Sequence, residues 1–291
     1  MKMAFTSVFI LAPDFPEQEG FGAMLSGKYE ESLVKAKELG YDGVEIIMGD
    51  PERFDAEEFK KLLASTGLKV SAVNSGSIQY TLKSGLVSSD SRQAQLSLET
   101  LHKMMLVCQD LGCVQQVGVA RGFIESGRPM RWFKDCLVDV LRTAAAYAAD
   151  LRIEIAFEYT NRHEINTINT VAEAREIIER VGSNRMGMLL DTYHSYLEDP
   201  DSLEAIYDSR EYLRHIHLHD SNGGAAIIGG GETNFERLIE LCGEIGYSRW
   251  FSDGLHTLEY GAEEVRRSTS VLRSLYERYI PAADPARAPV R

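Results

Sequence analysis

The sequence contains no apolar run of the roughly 18 residues that a transmembrane helix needs, and it has only four cysteines. We therefore predict no membrane partner. The four cysteines form no C-x-x-C pair, and the favoured interpretation is buried thiols in a reducing compartment. They are Cys108, Cys113, Cys136 and Cys242. From this we predict a cytoplasmic protein, and we interpret the apolar residues 4–12 as a first strand because a signal peptide would have a more basic start.

Positive charge is scarce as well. The chain has 31 Lys and Arg against 44 Asp and Glu, which gives a formal net charge of −13 and a pI of about 5.1. Proteins that bind nucleic acid through a broad basic face derive their affinity from neutralised phosphates. This charge balance argues against such a face, so we expect a small-molecule substrate and no nucleic-acid partner.

A regular alternation of short β-rich runs and amphipathic helical runs is the main positive feature of the sequence. The predicted strands are residues 5–12, 43–48, 69–74, 113–120, 153–158, 186–191, 214–219 and 253–259. The predicted helices are residues 29–40, 56–67, 99–112, 139–151, 171–182, 201–213, 235–246 and 263–280. Eight such pairs predict an α/β fold of the (β/α)8 TIM-barrel type. A doubly wound open sheet is the alternative, but the glycine fingerprint expected after its first strand is absent.

No internal domain boundary is visible in the sequence. We predict one barrel domain over residues 1–280 and a disordered tail, rich in Pro and Ala, over residues 281–291. The loops at residues 13–27 and 78–91 are candidates for lids over the barrel mouth, because long loops in compact domains are often functional.

Acidic side chains finish three of the predicted strands. Glu158 ends the fifth strand, Asp191 the sixth and Glu259 the eighth. The active-site face of a (β/α)8 barrel lies at the carboxyl ends of its strands, so these side chains should converge. Unpaired carboxylates at a dry barrel mouth would repel one another and favour protonation. A bound divalent cation would remove this conflict.

The seventh predicted strand, with the sequence RHIHLH, carries three histidines. Alternation along a strand sends His215, His217 and His219 to one side and Ile216 and Leu218 to the other. The apolar pair suits packing against helices, so the histidines should face the barrel axis. His217 is the predicted ligand from its height in the strand, with His215 lower and His219 at the rim. Three carboxylates and one imidazole suit Mn²⁺, Mg²⁺, Co²⁺ or Zn²⁺.

With these residues the sequence resembles the sugar phosphate isomerase/epimerase superfamily of xylose isomerase-like barrels, and within it the ketose 3-epimerases of the tagatose and psicose type. The resemblance covers nearly the whole chain, through the motifs FEYTNRHE, LDTYH, HIHLHDSN and DGLHTLE. It implies one divalent ion, Mn²⁺ before the other three, held by Glu158, Asp191, His217 and Glu259. The gaps of 33 residues between the first two ligands and 26 between the next two agree with that branch.

The same resemblance implies a mechanism. Glu158 and Glu259 correspond to paired catalytic acid/bases, which move a proton on the carbon beside a ketose carbonyl through a metal-bound cis-enediolate. Glu164 and His194 correspond to residues that bind substrate hydroxyls near the reacting carbons. Trp250 lies just before the eighth predicted strand and could in addition form a wall of the sugar pocket.

One position departs from the family pattern. The ketose 3-epimerase branch has a substrate-binding arginine six residues after its histidine ligand, where this chain has Gly223. The loop around Gly223 is rich in glycine and apolar residues. We expect the metal chemistry to be intact, and a bulkier or modified keto-sugar to be preferred over a free ketose.

The sequence thus predicts a metal-dependent sugar isomerase or epimerase, with a carbohydrate as its substrate, and it leaves two alternatives open. A lyase or dehydratase of the same superfamily, acting on a keto-sugar, an inosose or a 3-oxo-glycoside, would use the same proton abstraction and then expel a leaving group. An endonuclease IV-like DNA repair enzyme is the remote alternative, because it would need more histidine ligands and a basic groove. A homo-oligomer is compatible with the sequence.

Overall fold

A computed structural model of the chain describes residues 6–15, 25–223, 227, 230–254 and 261–280. Eight parallel strands form a closed barrel in chain order, and the eighth strand pairs with the first. The prediction of a (β/α)8 barrel is therefore confirmed. In this described part of the chain, no helix is long and apolar enough to cross a membrane.

Strands and helices alternate along the described chain, with short extra helices after some of the strands. The strands are β1 (Thr6–Leu11), β2 (Gly43–Ile47), β3 (Lys69–Asn74), β4 (Val114–Val117), β5 (Ile155–Glu158), β6 (Met186–Asp191), β7 (Leu213–Leu218) and β8 (Phe251–Asp253). The helices are α1 (Tyr29–Glu38), α2 (Ala56–Thr66), α3 (Gly76–Leu82), α4 (Ser91–Leu111), α5 (Met130–Leu151), α6 (Val171–Val181), α7 (Thr192–Glu198), α8 (Ser202–Ser209), α9 (Phe235–Glu244) and α10 (Ala262–Tyr279).

Local sequence signals set the ends of several helices. Asp55 and Asp90 each accept a hydrogen bond of 2.9 Å from a backbone N–H in the first turn of α2 and α4. Gly67 and Gly112 end the same two helices with φ values of 71° and 67°, a left-handed conformation that favours glycine. These capping signals explain why α2 and α4 end at glycine as predicted, whereas α1 and α9 end two residues before the predicted glycines.

The interior of the barrel is polar, whereas its outward faces are apolar and packed against the helices. The hydroxyls of Ser7, Ser71 and Ser252 meet at the axis, with Oγ–Oγ distances of 2.8 Å from Ser7 to Ser71 and 2.7 Å from Ser7 to Ser252. The Nε2 atom of His215 lies 2.7 Å from Ser252 Oγ and 3.0 Å from Glu45 Oε2. This polar column leads towards the carboxyl ends of the strands.

Several bounds of the predicted element map are wrong, and the helices predicted at 99–112 and 139–151 begin earlier, at Ser91 (α4) and Met130 (α5). The loop predicted at 78–91 begins inside α3, a short helix that directly follows β3. The strand predicted at 253–259 is wrong at both ends, because β8 is Phe251–Asp253, its residues pair with both β1 and β7, and Gly254 already lies outside it. Glu259 therefore does not finish this strand. Residues 255–260, most of the candidate lid at 13–27 and the predicted tail at 281–291 lie outside the described residues.

Candidate active site

Three of the four predicted metal ligands meet at the carboxyl ends of neighbouring strands. Glu158 ends β5, Asp191 ends β6 and His217 is the next-to-last residue of β7. The Nδ1 atom of His217 lies 3.1 Å from Glu158 Oε1 and 3.7 Å from Asp191 Oδ2. All three side chains are buried, so their polar atoms face one another with little competing solvent. The fourth predicted ligand, Glu259, lies outside the described residues.

The two carboxylate oxygens of Asp191 have different partners. Oδ1 caps α7, because it accepts hydrogen bonds from the backbone N–H groups of Tyr193 at 2.8 Å and His194 at 3.3 Å. Oδ2 lies 2.7 Å from Nδ1 of His219 and also faces His217. Burial would raise the pKa of Asp191, but the charge of the neighbouring His219 and its hydrogen bond outweigh burial and hold the pKa well below its usual range. Asp191 is therefore an anion whose orientation is set by the start of a helix.

Glu158 is likewise held through one of its oxygens. Oε2 accepts a hydrogen bond from Gln116 Nε2 at 2.5 Å, and Gln116 Oε1 accepts one from the backbone N–H of Ser75 at 3.1 Å. Gly118 leaves room for this contact, since a Cβ at that position would collide with both Glu158 Oε2 and Gln116 Nε2. The other oxygen, Oε1, is thereby directed towards His217.

The predicted substrate-binding residues Glu164 and His194 are linked by an asparagine. The amide nitrogen of Asn161 donates hydrogen bonds to Glu164 Oε1 at 2.8 Å and to His194 Nδ1 at 2.9 Å. The amide oxygen of Asn161 accepts a hydrogen bond from the backbone N–H of His163 at 3.0 Å, which fixes the orientation of the amide. His194 Nδ1 is therefore an acceptor, and the ring carries its proton on Nε2.

That Nε2–H group of His194 points into the site. It lies 4.0 Å from Glu158 Oε1 and 4.0 Å from Asp191 Oδ2, too far for a direct hydrogen bond to either. His194 is nearly buried, whereas 44% of the Glu164 side chain is exposed. The structure thus brings both predicted residues to the site, with His194 deep in it and Glu164 at its mouth.

Glu45, in the middle of β2, is a site residue that sequence reasoning missed. It is completely buried, and its carboxylate lies 3.1 Å from Nε2 of His217 and 3.0 Å from Nε2 of His215. Burial would raise the pKa of Glu45, but the charge of His217 and the hydrogen bonds from both histidines hold it below its usual range. The available signal was a single carboxylate inside the apolar run GVEIIM.

The donor atoms fit a divalent cation. Glu158, Asp191 and His194 bring ligand-type atoms within 4.8 Å of one another, and the two carboxylates are the members free to bind an ion, because His194 carries a proton on the nitrogen that faces them. The ring of His217 lies against the same two carboxylates. Carboxylate oxygens combined with imidazole nitrogen suit Mn²⁺, Mg²⁺, Co²⁺ or Zn²⁺. Two carboxylates buried side by side also need positive charge between them, which such an ion would supply.

The structure does not bring Trp250 to this site. A Cβ on Gly43 would lie 2.8 Å from the Trp250 ring, so the ring packs against the first residue of β2. That position is at the amino-terminal end of the barrel, opposite the ends of β5 to β7. The reason is directional: in a parallel barrel, a residue that precedes a strand lies at the other end from a residue that finishes one.

Gly223 lies in the turn that follows β7, beside an aromatic ring. Its φ is 77°, and a Cβ at this position would lie 3.1 Å from two ring carbons of Tyr193. The backbone N–H of Gly223 donates a hydrogen bond of 2.8 Å to the carbonyl of Asp220, which closes a tight turn. An arginine side chain here would be strained by the backbone and crowded by Tyr193.

Arg121 supports the backbone around the site and donates hydrogen bonds to backbone carbonyls next to it. It is fully buried, and burial lowers its pKa to about 10. Its guanidinium donates hydrogen bonds to the backbone carbonyls of Glu158 at 3.0 Å, Thr167 at 2.7 Å and Ile168 at 3.1 Å. Arg121 therefore ties the end of β5 to the loop that follows it, the loop that carries Asn161 and Glu164.

Comparison with known proteins agrees with this geometry. A family model described as a xylose isomerase-like TIM barrel matches residues 33–275. A ketose 3-epimerase from Arthrobacter globiformis is 31% identical over 222 residues, which are 74% of this chain and 73% of the relative. An L-ribulose 3-epimerase from Mesorhizobium japonicum is 28% identical over 265 residues, which are 89% of this chain and 86% of the relative.

The fold has relatives among solved structures as well. The crystal structure of a 3-keto-D-glucoside 4-epimerase from E. coli superimposes with a TM-score of 0.78. The match covers 94% of this chain and 100% of the other, at 23% sequence identity. At this identity the likeness speaks for a shared barrel fold alone.

Proposed function

Because the chain belongs to the xylose isomerase-like TIM-barrel family, we propose that it is a metal-dependent epimerase of a ketose or keto-sugar. The observation that carries the proposal is the convergence of Glu158, Asp191 and His217 at the carboxyl ends of three adjacent strands. The names of two relatives, a ketose 3-epimerase and an L-ribulose 3-epimerase, support inversion at a carbon beside a carbonyl. A cytoplasmic location remains a prediction from the four free cysteines.

In this proposal Glu158, Asp191 and His217 hold the ion, and Glu259 is the fourth ligand. Mn²⁺ is the proposed ion, and when bound it would supply a Lewis acid that polarises the substrate carbonyl and acidifies the neighbouring C–H. Glu158 removes that proton. Gln116 restrains Oε2 of Glu158, so Oε1 remains directed at the site and little orientation is lost on reaction.

Inversion at carbon also needs a group that returns a proton on the opposite face. We assign this step to Glu259, because it ends the motif DGLHTLE that resembles the second acid/base of the family. His194, with its proton on Nε2, donates a hydrogen bond to a substrate oxygen that lies between it and the carboxylates. Glu164 accepts one from a substrate hydroxyl at the mouth.

Solvent deuterium distinguishes this reaction from its alternatives. In deuterated water we expect the epimerised product to carry deuterium on the carbon beside the carbonyl, because the returned proton comes from an exchanged carboxyl group. Mass spectrometry and proton NMR of the product measure this directly. An epimer formed without deuterium would contradict proton transfer through exchangeable carboxyl groups, whereas an isomer with a displaced carbonyl and no deuterium would indicate hydride transfer between carbons. Release of water or of an aglycone would identify a lyase or dehydratase instead.

The turn at Gly223 bears on the choice of substrate. An arginine there could make charge-assisted hydrogen bonds to sugar hydroxyls, each contributing roughly 1.5–3 kcal/mol, and glycine makes none. We therefore propose a bulkier or modified keto-sugar, such as a 3-oxo-glycoside or an inositol-derived ketone, as the preferred substrate.

A steady-state panel tests this preference. Free fructose, tagatose, psicose and ribulose are expected to be about ten- to a hundredfold poorer substrates than oxidised glycosides or inososes, since one or two charge-assisted hydrogen bonds are lost. The measurement is kcat/KM for each compound with saturating Mn²⁺. A value above roughly 10⁴ M⁻¹s⁻¹ for a free ketose would contradict the preference and assign an ordinary ketose 3-epimerase.

A further inference from the structure

We propose that Glu45 is a positioning residue for the metal ligand His217: its buried carboxylate holds the ring by Nε2 and so turns Nδ1 towards Glu158 and Asp191. The inference rests on the proposed metal site and assigns a role to a residue on a strand, β2, that supplies none of the proposed ligands. Glu45 and His217 are 172 positions apart in the chain and meet inside the barrel.

The contacts of Glu45 are short and shielded from solvent. Nε2 of His217 lies 3.2 Å from Oε1 and 3.1 Å from Oε2 of the carboxylate. Nε2 of His215 lies 3.0 Å from Oε2, and the side-chain amide of Asn74 donates a hydrogen bond of 3.3 Å to Oε1. The Glu45 side chain has no exposed surface. Both of its oxygens are thus committed to neighbouring donors, and the carboxylate has no freedom to reorient.

This arrangement decides which nitrogen of His217 is available to a cation. A carboxylate can only accept hydrogen bonds, so Glu45 requires a proton on Nε2 of His217. Nδ1 lies 3.1 Å from Glu158 Oε1 and 3.7 Å from Asp191 Oδ2, so without an ion it also donates to a carboxylate. A cation held by Glu158 and Asp191 would take the place of the Nδ1 proton, while Glu45 keeps the proton on Nε2. Carboxylates that hold the second nitrogen of a ligand histidine fix its ring and raise its basicity.

The phenyl ring of Phe9 supports the ring of His217 from a further side. The two rings make an edge-to-face contact with 4.8 Å between their centroids. Phe9 has no group that could distinguish the two ring nitrogens, so it limits tilting but leaves the choice of tautomer to Glu45. Phe9 therefore packs against the ring of His217, and Glu45 selects its tautomer.

Replacing Glu45 by glutamine should weaken metal binding without changing the shape of the residue. The amide would remove the negative charge, and with its NH₂ group facing the ring it would favour the wrong tautomer. We expect the Kd for Mn²⁺ to rise about 10- to 100-fold, the range found for such supporting carboxylates. Isothermal titration of EDTA-treated, dialysed protein with Mn²⁺ measures this directly, and circular dichroism checks that the barrel is folded.

Ser7→Ala is the matched control. Ser7 is as buried as Glu45 and lies at the barrel axis. The substitution removes the hydrogen bonds of its hydroxyl to Ser71 and Ser252, and the hydroxyls of this cluster contact neither Glu158 nor Asp191. The S7A protein should bind Mn²⁺ like the wild type. Equal weakening in S7A and E45Q would overturn the inference, because the loss would then follow from any polar change in the interior.

A second measurement needs no variant. Long-range proton–nitrogen NMR correlations of the zinc-loaded, histidine-labelled protein should show His217 with its proton on Nε2 and the metal on Nδ1. The opposite tautomer would overturn the inference, as would an E45Q protein that binds Mn²⁺ with wild-type affinity. A wild-type protein that binds neither Mn²⁺ nor Zn²⁺ would instead overturn the proposed metal-dependent function, so the two failures are distinguishable.

Discussion

Replacing Glu158 by glutamine is expected to lower turnover by about 10²–10⁴-fold, the usual contribution of a proton-transfer residue. Glutamine has nearly the same shape and keeps one oxygen acceptor, but its amide cannot take up a proton at neutral pH. Gln116 Nε2 donates to Oε2 at this position, so the amide oxygen of the new residue would face Gln116 and its NH₂ group would face the ion. Turnover must therefore be measured with saturating Mn²⁺, to separate lost proton transfer from weaker metal binding.

Glu154→Gln provides a matched control for this variant. Glu154 directly precedes β5, at the opposite end from Glu158, and pairs with Arg249 at 2.6 Å and Arg214 at 2.9 Å. The same chemical change is thus made on the same strand, away from the site. E154Q should have wild-type turnover and lose only some stability, because it breaks partly buried ion pairs. If E158Q were as active as E154Q, Glu158 would not be the base.

Removing the metal is expected to abolish turnover, because the proposed reaction depends on polarisation of the substrate carbonyl. Treatment with EDTA should give inactive protein, and Mn²⁺ or Co²⁺ should restore activity. Metal analysis of protein purified without chelators should find about one divalent ion per chain, as a single-ion mechanism requires. A fully active, metal-free preparation would contradict the proposal.

Asp191→Asn removes the negative charge of a proposed ligand but keeps the oxygen that caps α7. Asn is about as good a helix N-cap as Asp, so the bonds from Tyr193 and His194 to Oδ1 can persist and α7 should still form. The negative charge at Oδ2 is lost, and with it the metal. We expect a folded protein without detectable Mn²⁺ binding or turnover.

The matched control for that variant is Asp201→Asn. Asp201 caps α8 in the same way, by accepting hydrogen bonds from two backbone N–H groups at 2.7 and 3.1 Å. Its carboxylate is exposed and belongs to no proposed site. D201N should bind Mn²⁺ and turn over substrate like the wild type. Equal metal affinity in the D191N and D201N proteins would exclude Asp191 as a ligand.

The order of the elements and the places of the proposed ligands are properties of the sequence by itself. Strands alternate with helices, several of which, such as α2, α4 and α6, carry capping signals at both ends, and such signals act within a few residues. Glu158 and Asp191 end their strands as predicted. His215 and His217 face the same interior because alternation with a period of two belongs to any extended backbone.

The direction of a parallel strand could have corrected one prediction. Trp250 directly precedes β8, and a residue that directly precedes a strand lies at the amino-terminal end of this barrel. The departure at Gly223 was visible in the sequence, but its surroundings were not. The contact with Tyr193 arises because the turn after β7 folds over the start of α7, two segments joined only through the tertiary structure.

The supports of the site were decided by the tertiary structure alone. Gln116 and Glu158 are 42 positions apart, Asn161 and His194 are 33 apart, and Glu45 and His217 are 172 apart. β2 also contains a register shift against β3, between Val44 and Glu45, that no local pattern indicates. Closure of the barrel brings β2 and β7 to face each other across the axis, because the first strand pairs with the last. A glutamate that is merely one polar residue in an apolar run thereby becomes the partner of His217, a proposed metal ligand.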